Sequence, residues 1–157
     1  MPDPGTHEPQ RVGRFTLLER LAVGGMAEVF LACERGAHGF ERVVVVKKML
    51  PHLQQEESFV QMFLHEARIA ARINHPNVVQ ILELGDQDAE KYIAMEYIDG
   101  STLRELIVAA DTRRTHIPVQ AAVDLICQAL SAADAVHELG NRRTGPLHEP
   151  LVSVPRR

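Results

Sequence analysis

The sequence predicts an α+β domain: a five-stranded antiparallel sheet with one helix inserted after the third strand, then a joint and two further helices. Three observations carry this. Five short runs rich in β-branched and aromatic residues are separated by glycine, proline or polar turns. One long pattern of helical period falls between the third and fourth runs, at about 56–73. The strand pattern stops at Asp99-Gly100-Ser101, and only helical periodicity follows.

Composition fits a packed domain, with 157 residues, 45% hydrophobic and 24% charged. A net charge of −4 argues against a nucleic-acid binder, which would present a basic face. Cys33 and Cys127 lie far apart without a C-x-x-C partner and read as reduced cysteines. The histidines show no H-E-x-x-H spacing, so no zinc site is expected. No run of 18 apolar residues occurs, so no membrane span is expected. Met1-Pro2-Asp3-Pro4-Gly5 lacks the basic and apolar regions of a signal peptide, and a cytoplasmic protein is expected.

Residues 1–11 read as a floppy leader, since proline and glycine recur without apolar periodicity. Phe15 to Leu21 suits a strand, Ala22 to Ala27 interrupts it, and Glu28 to Ala32 resumes as a second strand. Gly24 and Gly25 at the tip fit a plain hairpin turn. They fit equally a loop whose backbone N–H groups approach a phosphate closely. A dinucleotide-binding turn is disfavoured, because that turn opens a helix. After a connector at 34–41, Val43-Val44-Val45-Val46-Lys47 reads as a strand buried on both faces, closed by Pro51. Lys47 shares a face with Val45 and Val43. An ammonium there needs an anion, because burying a lone charge is costly.

The helix at about 56–73 has Ser58, or the acidic pair before it, to cap its start. Phe59, Met62, Phe63, Ala70 and Ile73 share one face of it with Glu66 in their midst. Glu66 is then either solvated at the edge of the stripe or paired, and Lys47 is the obvious partner. His75-Pro76-Asn77 breaks the helix. Val78 to Leu82 and Tyr92 to Tyr97 read as strands around a turn at 86–90. Thr102 caps a short helix reaching about Ala110. A long helix begins at Pro118 and ends near Gly140, with Val119, Val123, Ile126, Leu130, Ala133 and Val136 on one face. Residues 141–157 read as an unstructured tail.

Taken in order, these residues resemble the amino-terminal lobe of the eukaryotic-like protein kinases, most of all the bacterial serine/threonine kinases. The family's loop G-x-G-x-x-G-x-V is met by Ala22 to Val29, with Gly24 and Val29 in place and Ala22 and Ala27 at the outer glycine positions. Val44-Val45-Val46-Lys47 matches its lysine strand, and Glu66 its helix glutamate. His75-Pro76-Asn77-Val78-Val79 matches the entry to the fourth strand, and Met95 to Gly100 the gatekeeper and hinge. The resemblance implies a nucleotide-binding lobe at 12–98, and a hinge with the first helices of a second lobe at 99–140.

It also implies roles. Leu21, Ala22, Val23, Gly24, Gly25, Met26, Ala27 and Glu28 would form a lid over the phosphates of ATP, and Val29 and Val45 would sandwich the adenine. Lys47 would meet the α- and β-phosphates and Glu66 would hold Lys47 in place. Main-chain groups of Glu96 and Ile98 would bind the adenine edge, with Met95 bounding the pocket behind it.

The family's H-R-D-L-x-x-x-N and D-F-G motifs, which supply the base and the ligands of the expected Mg, do not occur. The sequence therefore reads as a kinase lobe cut short before its catalytic loop and inactive by itself. A pseudokinase-like docking module and a non-functional remnant are the alternatives. Its protein substrate or partner is not legible. The face of the long helix, left partly exposed, invites self-association.

Overall fold

The computed structural model describes residues 10–87 and 90–141. A six-stranded antiparallel sheet has the order β1-β2-β3-β4-β6-β5, from β1 (Arg11–Val12), β2 (Phe15–Val23), β3 (Ala27–Arg35), β4 (Glu41–Met49), β5 (Ile81–Gln87) and β6 (Glu90–Glu96). Helix α1 (Glu57–Ala70) lies between β4 and β5; α2 (Leu103–Thr112) and α3 (Val119–Asn141) follow the sheet. The α+β arrangement and the inserted helix are as expected from the sequence. Of the expected leader at 1–11, Arg11 belongs instead to β1, and of the expected tail at 141–157, Asn141 belongs instead to α3; residues 1–9 and 142–157 lie outside the described residues.

One strand more is present than the sequence suggests. β1 is two residues long, too short to carry a period, and it folds back on Thr16 and Phe15. Leu17 N–H donates to Gln10 O at 2.8 Å. Gly13 makes the reversal with φ at +57°, in the left-handed region that favours glycine.

Each face of the sheet buries its own cluster. Val12, Phe15, Leu17, Ala32, Val44, Val46, Tyr92 and Ala94 fill one. Ala27, Met49, Ile93 and, from α1, Val60, Phe63 and Ala67 belong to the other. The valine run of β4 is accordingly not buried on both faces. Val44 and Val46 are fully buried, whereas Val43 is 48% exposed. The face carrying Val43, Val45 and Lys47 is left partly open, because, of the residues of this strand, only Met49 is buried in the α1 cluster.

Helix α1 starts without a side-chain cap, with Glu56 at the capping position and Ser58 inside the first turn. Its start relies on Glu57, whose charge suits the helix dipole. Its buried stripe is Val60, Phe63 and Ala67, while Met62 is half exposed. The stripe is thus rotated from the one expected, and Glu66 lies on its flank rather than in its middle.

β5 begins at Ile81, later than the expected Val78. Val78 N–H turns back to His75 O at 3.0 Å, and Gln80 N–H is taken by the Glu96 carboxylate at 2.7 Å. These bonds make 78–80 a connector instead of a ladder. β5 and β6 continue to the Gln87–Glu90 pair, so residues 86, 87 and 90 of the expected turn at 86–90 belong to the ladder; residues 88–89 lie outside the described residues.

Thr102 caps α2 as expected, reciprocally with Glu105: Glu105 N–H donates to Thr102 Oγ1 at 3.2 Å and Thr102 N–H to Glu105 Oε2 at 2.7 Å. The Thr102 N–H, and then the Thr102 hydroxyl that donates to Glu105 Oε2 at 2.9 Å, hold the Glu105 carboxyl below its usual range. α3 is exposed along Val119, Val123, Ile126, Leu130 and Val136, the expected face. By length and composition alone one helix among the described residues, Val119–Leu139, is long and apolar enough to cross a membrane, with mean hydropathy 1.3 over an 18-residue window; Asp124, Asp134 and Glu138 interrupt it. Two polar contacts join α3 to the segment after α1: His75 Nε2 with Ser131 Oγ at 3.1 Å, and Asn77 Nδ2 donating to Gln128 Oε1 at 2.9 Å.

Tyr92 knits β1, β5 and β6 together. Its hydroxyl donates to Glu83 Oε1 at 2.7 Å, and Glu83 pairs with Arg14 at 2.9 Å. Burial, followed by the bond to Glu83 and its charge, pushes the phenol up to about 12 from 10.0. The unfolded chain releases this proton near pH 10, and the folded chain holds it to about 12. The stabilisation is therefore whole below pH 10 and is lost as pH rises from 10 towards 12. Urea midpoints at pH 9 and pH 11 should fall more steeply for the native chain than for Tyr92→Phe, and parallel decline would contradict the coupling.

Candidate functional site

The register places a charged group on the open face of the sheet. Lys47 of β4 stands opposite Val29 of β3 on one side and Ile93 of β6 on the other, so the three share a face. α1 crosses this face and brings Glu66 to it. Lys47 Nζ donates to Glu66 Oε1 at 2.8 Å, with the two side chains 26% and 59% exposed. The pair anticipated from sequence is formed, although Glu66 is also largely solvated. At that exposure the pair contributes on the order of 0–1 kcal/mol to folding. The ammonium also lies 5.7 Å from the centre of the Phe63 ring.

The pair borders a cavity of about 420 Å³, lined mostly by apolar side chains. Val29, Lys47, Glu66 and Met95, all site residues expected from sequence, lie on it. Ala67, Ala70, Val78, Val79, Ile81 and Ile93 complete the lining and were not anticipated. Ala70 lies four residues beyond Glu66, the spacing that puts two side chains on one helix face and could have flagged it, whereas Ala67, one residue on, carried no such signal. Val78 and Val79 were assigned to a strand, which hid their place at the cavity wall.

The other expected residues lie around this cavity rather than on it. Val45 sits one register step away, between Leu31 and Met95. Gly24, Gly25 and Met26 form the tip of the β2–β3 hairpin. Gly24 N–H donates to Ala27 O at 2.8 Å, and Met26 O accepts from Leu50 N–H at 2.9 Å, tying the tip to the end of β4. Ala27 is buried, so its methyl packs into the α1 cluster. Leu21 falls at a register shift between Arg20 and Ala22, where a bulge re-aims a side chain, and is 47% exposed. Ala22 and Val23 pair with Val29 and Glu28. Glu28 is held by Arg20 at 2.9 Å. Glu96 N–H is taken by Gln80 O at 3.0 Å, so this N–H is not the group that would bind a ligand edge. Ile98 is exposed beyond the end of β6.

A larger open hollow of about 600 Å³ lies at the end of α2, between Ile107, Asp111, Arg114 and His116, and takes no residue from the sheet. Among the described residues no three His, Cys, Asp or Glu side chains are grouped so as to hold a metal ion.

A protein-family model described as the protein kinase domain matches residues 15–141. The tyrosine-protein kinase MasK of Myxococcus xanthus is 43% identical over 139 residues, spanning 88% of this chain and 22% of MasK. The serine/threonine-protein kinase PknB of Mycobacterium leprae is 34% identical over 139 residues, spanning 86% of this chain and 21% of PknB. The chain thus spans about a fifth of the length of these curated relatives. Among solved structures, the kinase domain of PknI from Mycobacterium tuberculosis superposes with a TM-score of 0.66 at 25% identity, over 87% of this chain and 52% of that one.

Proposed function

The chain belongs to the protein kinase family, with bacterial relatives, and on that premise we propose that it is the ATP-binding portion of a serine/threonine kinase. The observation that carries this is the Lys47–Glu66 pair bordering an apolar cavity behind the glycine-tipped hairpin. An apolar slot suits an adenine, and a partly solvated ammonium at its wall suits phosphate oxygens. Lys47 holds the α- and β-phosphates, and Glu66 fixes the direction of Lys47. Val29 and Val45 flank the base, and the Glu96 carbonyl and the Ile98 main chain meet its edge. Bound ATP supplies the phosphoryl group. The magnesium expected for the family would find neither of its usual motif ligands in these residues.

Positioning and charge neutralisation provide most of the rate in phosphoryl transfer. Residues 1–157 contain neither H-R-D-L-x-x-x-N nor D-F-G. The purified chain is therefore expected to bind ATP without phosphorylating a protein substrate. Incubation with labelled ATP and a mixed protein substrate should give incorporation no greater than that of Lys47→Met. Robust transfer lost in that variant would overturn the expectation. The relatives' names include both serine/threonine and tyrosine kinases, so phosphoamino-acid analysis of the whole protein tests the acceptor.

The exposed apolar face of α3 favours a second reading, a docking module with little affinity for ATP. That reading requires no ATP-dependent rise in melting temperature, and concentration-dependent association in sedimentation.

A further inference from the structure

We propose that Phe63 is a positioning residue for Lys47: its ring holds the ammonium from the buried side while Glu66 holds it from the solvent side. The inference rests on the reading of the cleft as an ATP site and adds a residue to it. Phe63 and Glu66 are three residues apart on α1, the spacing that puts two side chains on one face of a helix. Lys47 Nζ is 2.8 Å from Glu66 Oε1 and 5.7 Å from the Phe63 ring centre, within the range where a ring quadrupole attracts a cation.

The two anchors differ in strength and kind. Glu66 is 59% exposed, so water competes for its carboxylate and a single ion pair leaves the lysine loosely directed. Phe63 is 0% exposed and packed in the α1 cluster, so its ring cannot swing away. It is not among the residues lining the cavity, so any effect on a ligand there is indirect, through Lys47 or through its packing neighbours Ala67 and Ile93, and the Lys47→Met background separates the two. A buried aliphatic residue would keep the position apolar at some cost in packing, but only an aromatic ring supplies the attraction to the ammonium.

The test replaces Phe63 with pentafluorophenylalanine in the full 157-residue chain, keeping the ring's shape while reversing its quadrupole. Phe63→Leu serves as the cruder comparison. Without nucleotide, unfolding midpoints are compared for the native, fluorinated, Lys47→Met and doubly changed chains. The fluorinated ring should lower the midpoint with Lys47 present and leave it unchanged with methionine there. With ATP, fluorination should weaken binding roughly two- to fivefold in the native background. It should leave whatever binding Lys47→Met retains unchanged. Additive midpoint shifts would overturn the proposal, as would an equal loss of ATP affinity in both backgrounds. Failure of the unsubstituted chain to bind ATP would instead overturn the reading of the cleft, while the nucleotide-free comparison would still decide whether the ring holds the ammonium.

Discussion

The Lys47→Ala chain is expected to lose between about half and nearly all of the ATP-dependent rise in melting temperature that the native chain shows. A ligand stabilises the state it binds by RT ln(1 + [L]/Kd), about 2.7 kcal/mol at a hundredfold excess over Kd. For a domain of this size each kcal/mol moves the melting temperature by about 2–4 °C, so the native rise is on the order of 5–10 °C. A charge-assisted contact to phosphate is worth roughly 1.5–3 kcal/mol, or about a ten- to hundredfold change in Kd. At the same ATP concentration, the upper end of that loss leaves a rise of only about 1 °C. The substitution should disturb the resting fold little, because its partner Glu66 is mostly solvated. Lys91→Ala is the control: it breaks the ion pair with Asp86 on the β5–β6 hairpin and touches nothing in the cavity. Equal ATP shifts in Lys47→Ala and native protein, measured by thermal unfolding, would remove Lys47 from the site and with it the reading of this cleft as the place where ATP binds.

The same lysine shows how far the sequence could be read and where it stopped. Lys47 and Glu66 were legible because each broke a local rule: a charge closing a valine run, and a carboxylate among the apolar residues of a helix. Both needed a partner, and each was the partner the other lacked. The cavity wall was less legible. Val78 and Val79 are apolar and β-branched, so local propensity assigns them to a strand, while the Gln80 and Glu96 hydrogen bonds that keep them out of the ladder are long-range. The rotation of the α1 stripe was hidden for a similar reason. Glu66 looked central only as long as Val60 and Ala67, the residues actually buried, were left out of the wheel. β1 carried no period at all, and its presence depends on a glycine reversal and on a tyrosine from the far end of the sheet.

That tyrosine gives Gly85→Ala a large expected effect on stability. Tyr92 is 3% exposed, and a methyl group at position 85 would come within 2.0 Å of its Cζ and 2.4 Å of its hydroxyl oxygen. These are main ring atoms of a fixed side chain, so the overlap cannot be relieved by a rotamer change at a flexible end. The ring has no free direction. Gly13 lies against it as well, where a Cβ would be 2.1 Å from the hydroxyl. Phe15 meets it edge-on at 5.9 Å, and its hydroxyl is bound to Glu83. Overpacking a well-filled core costs about 1–3 kcal/mol and sometimes more. Displacing the ring would also release the Glu83 bond, worth about another 1 kcal/mol, so a loss of about 3 kcal/mol or more is expected. Removing the ring by Tyr92→Ala should cost about 3–5 kcal/mol by itself. Adding Gly85→Ala to that chain should then cost little, because the new methyl enters the space the ring has left. Urea unfolding of the two single variants and the double variant measures this non-additivity directly. If Gly85→Ala alone stayed within about 0.5 kcal/mol of native, the change expected of an ordinary surface substitution, the ring would not be clamped between the two glycines. In that case Tyr92 would not be what holds β1 and the start of β2 to the strand that leads to Met95 and Glu96.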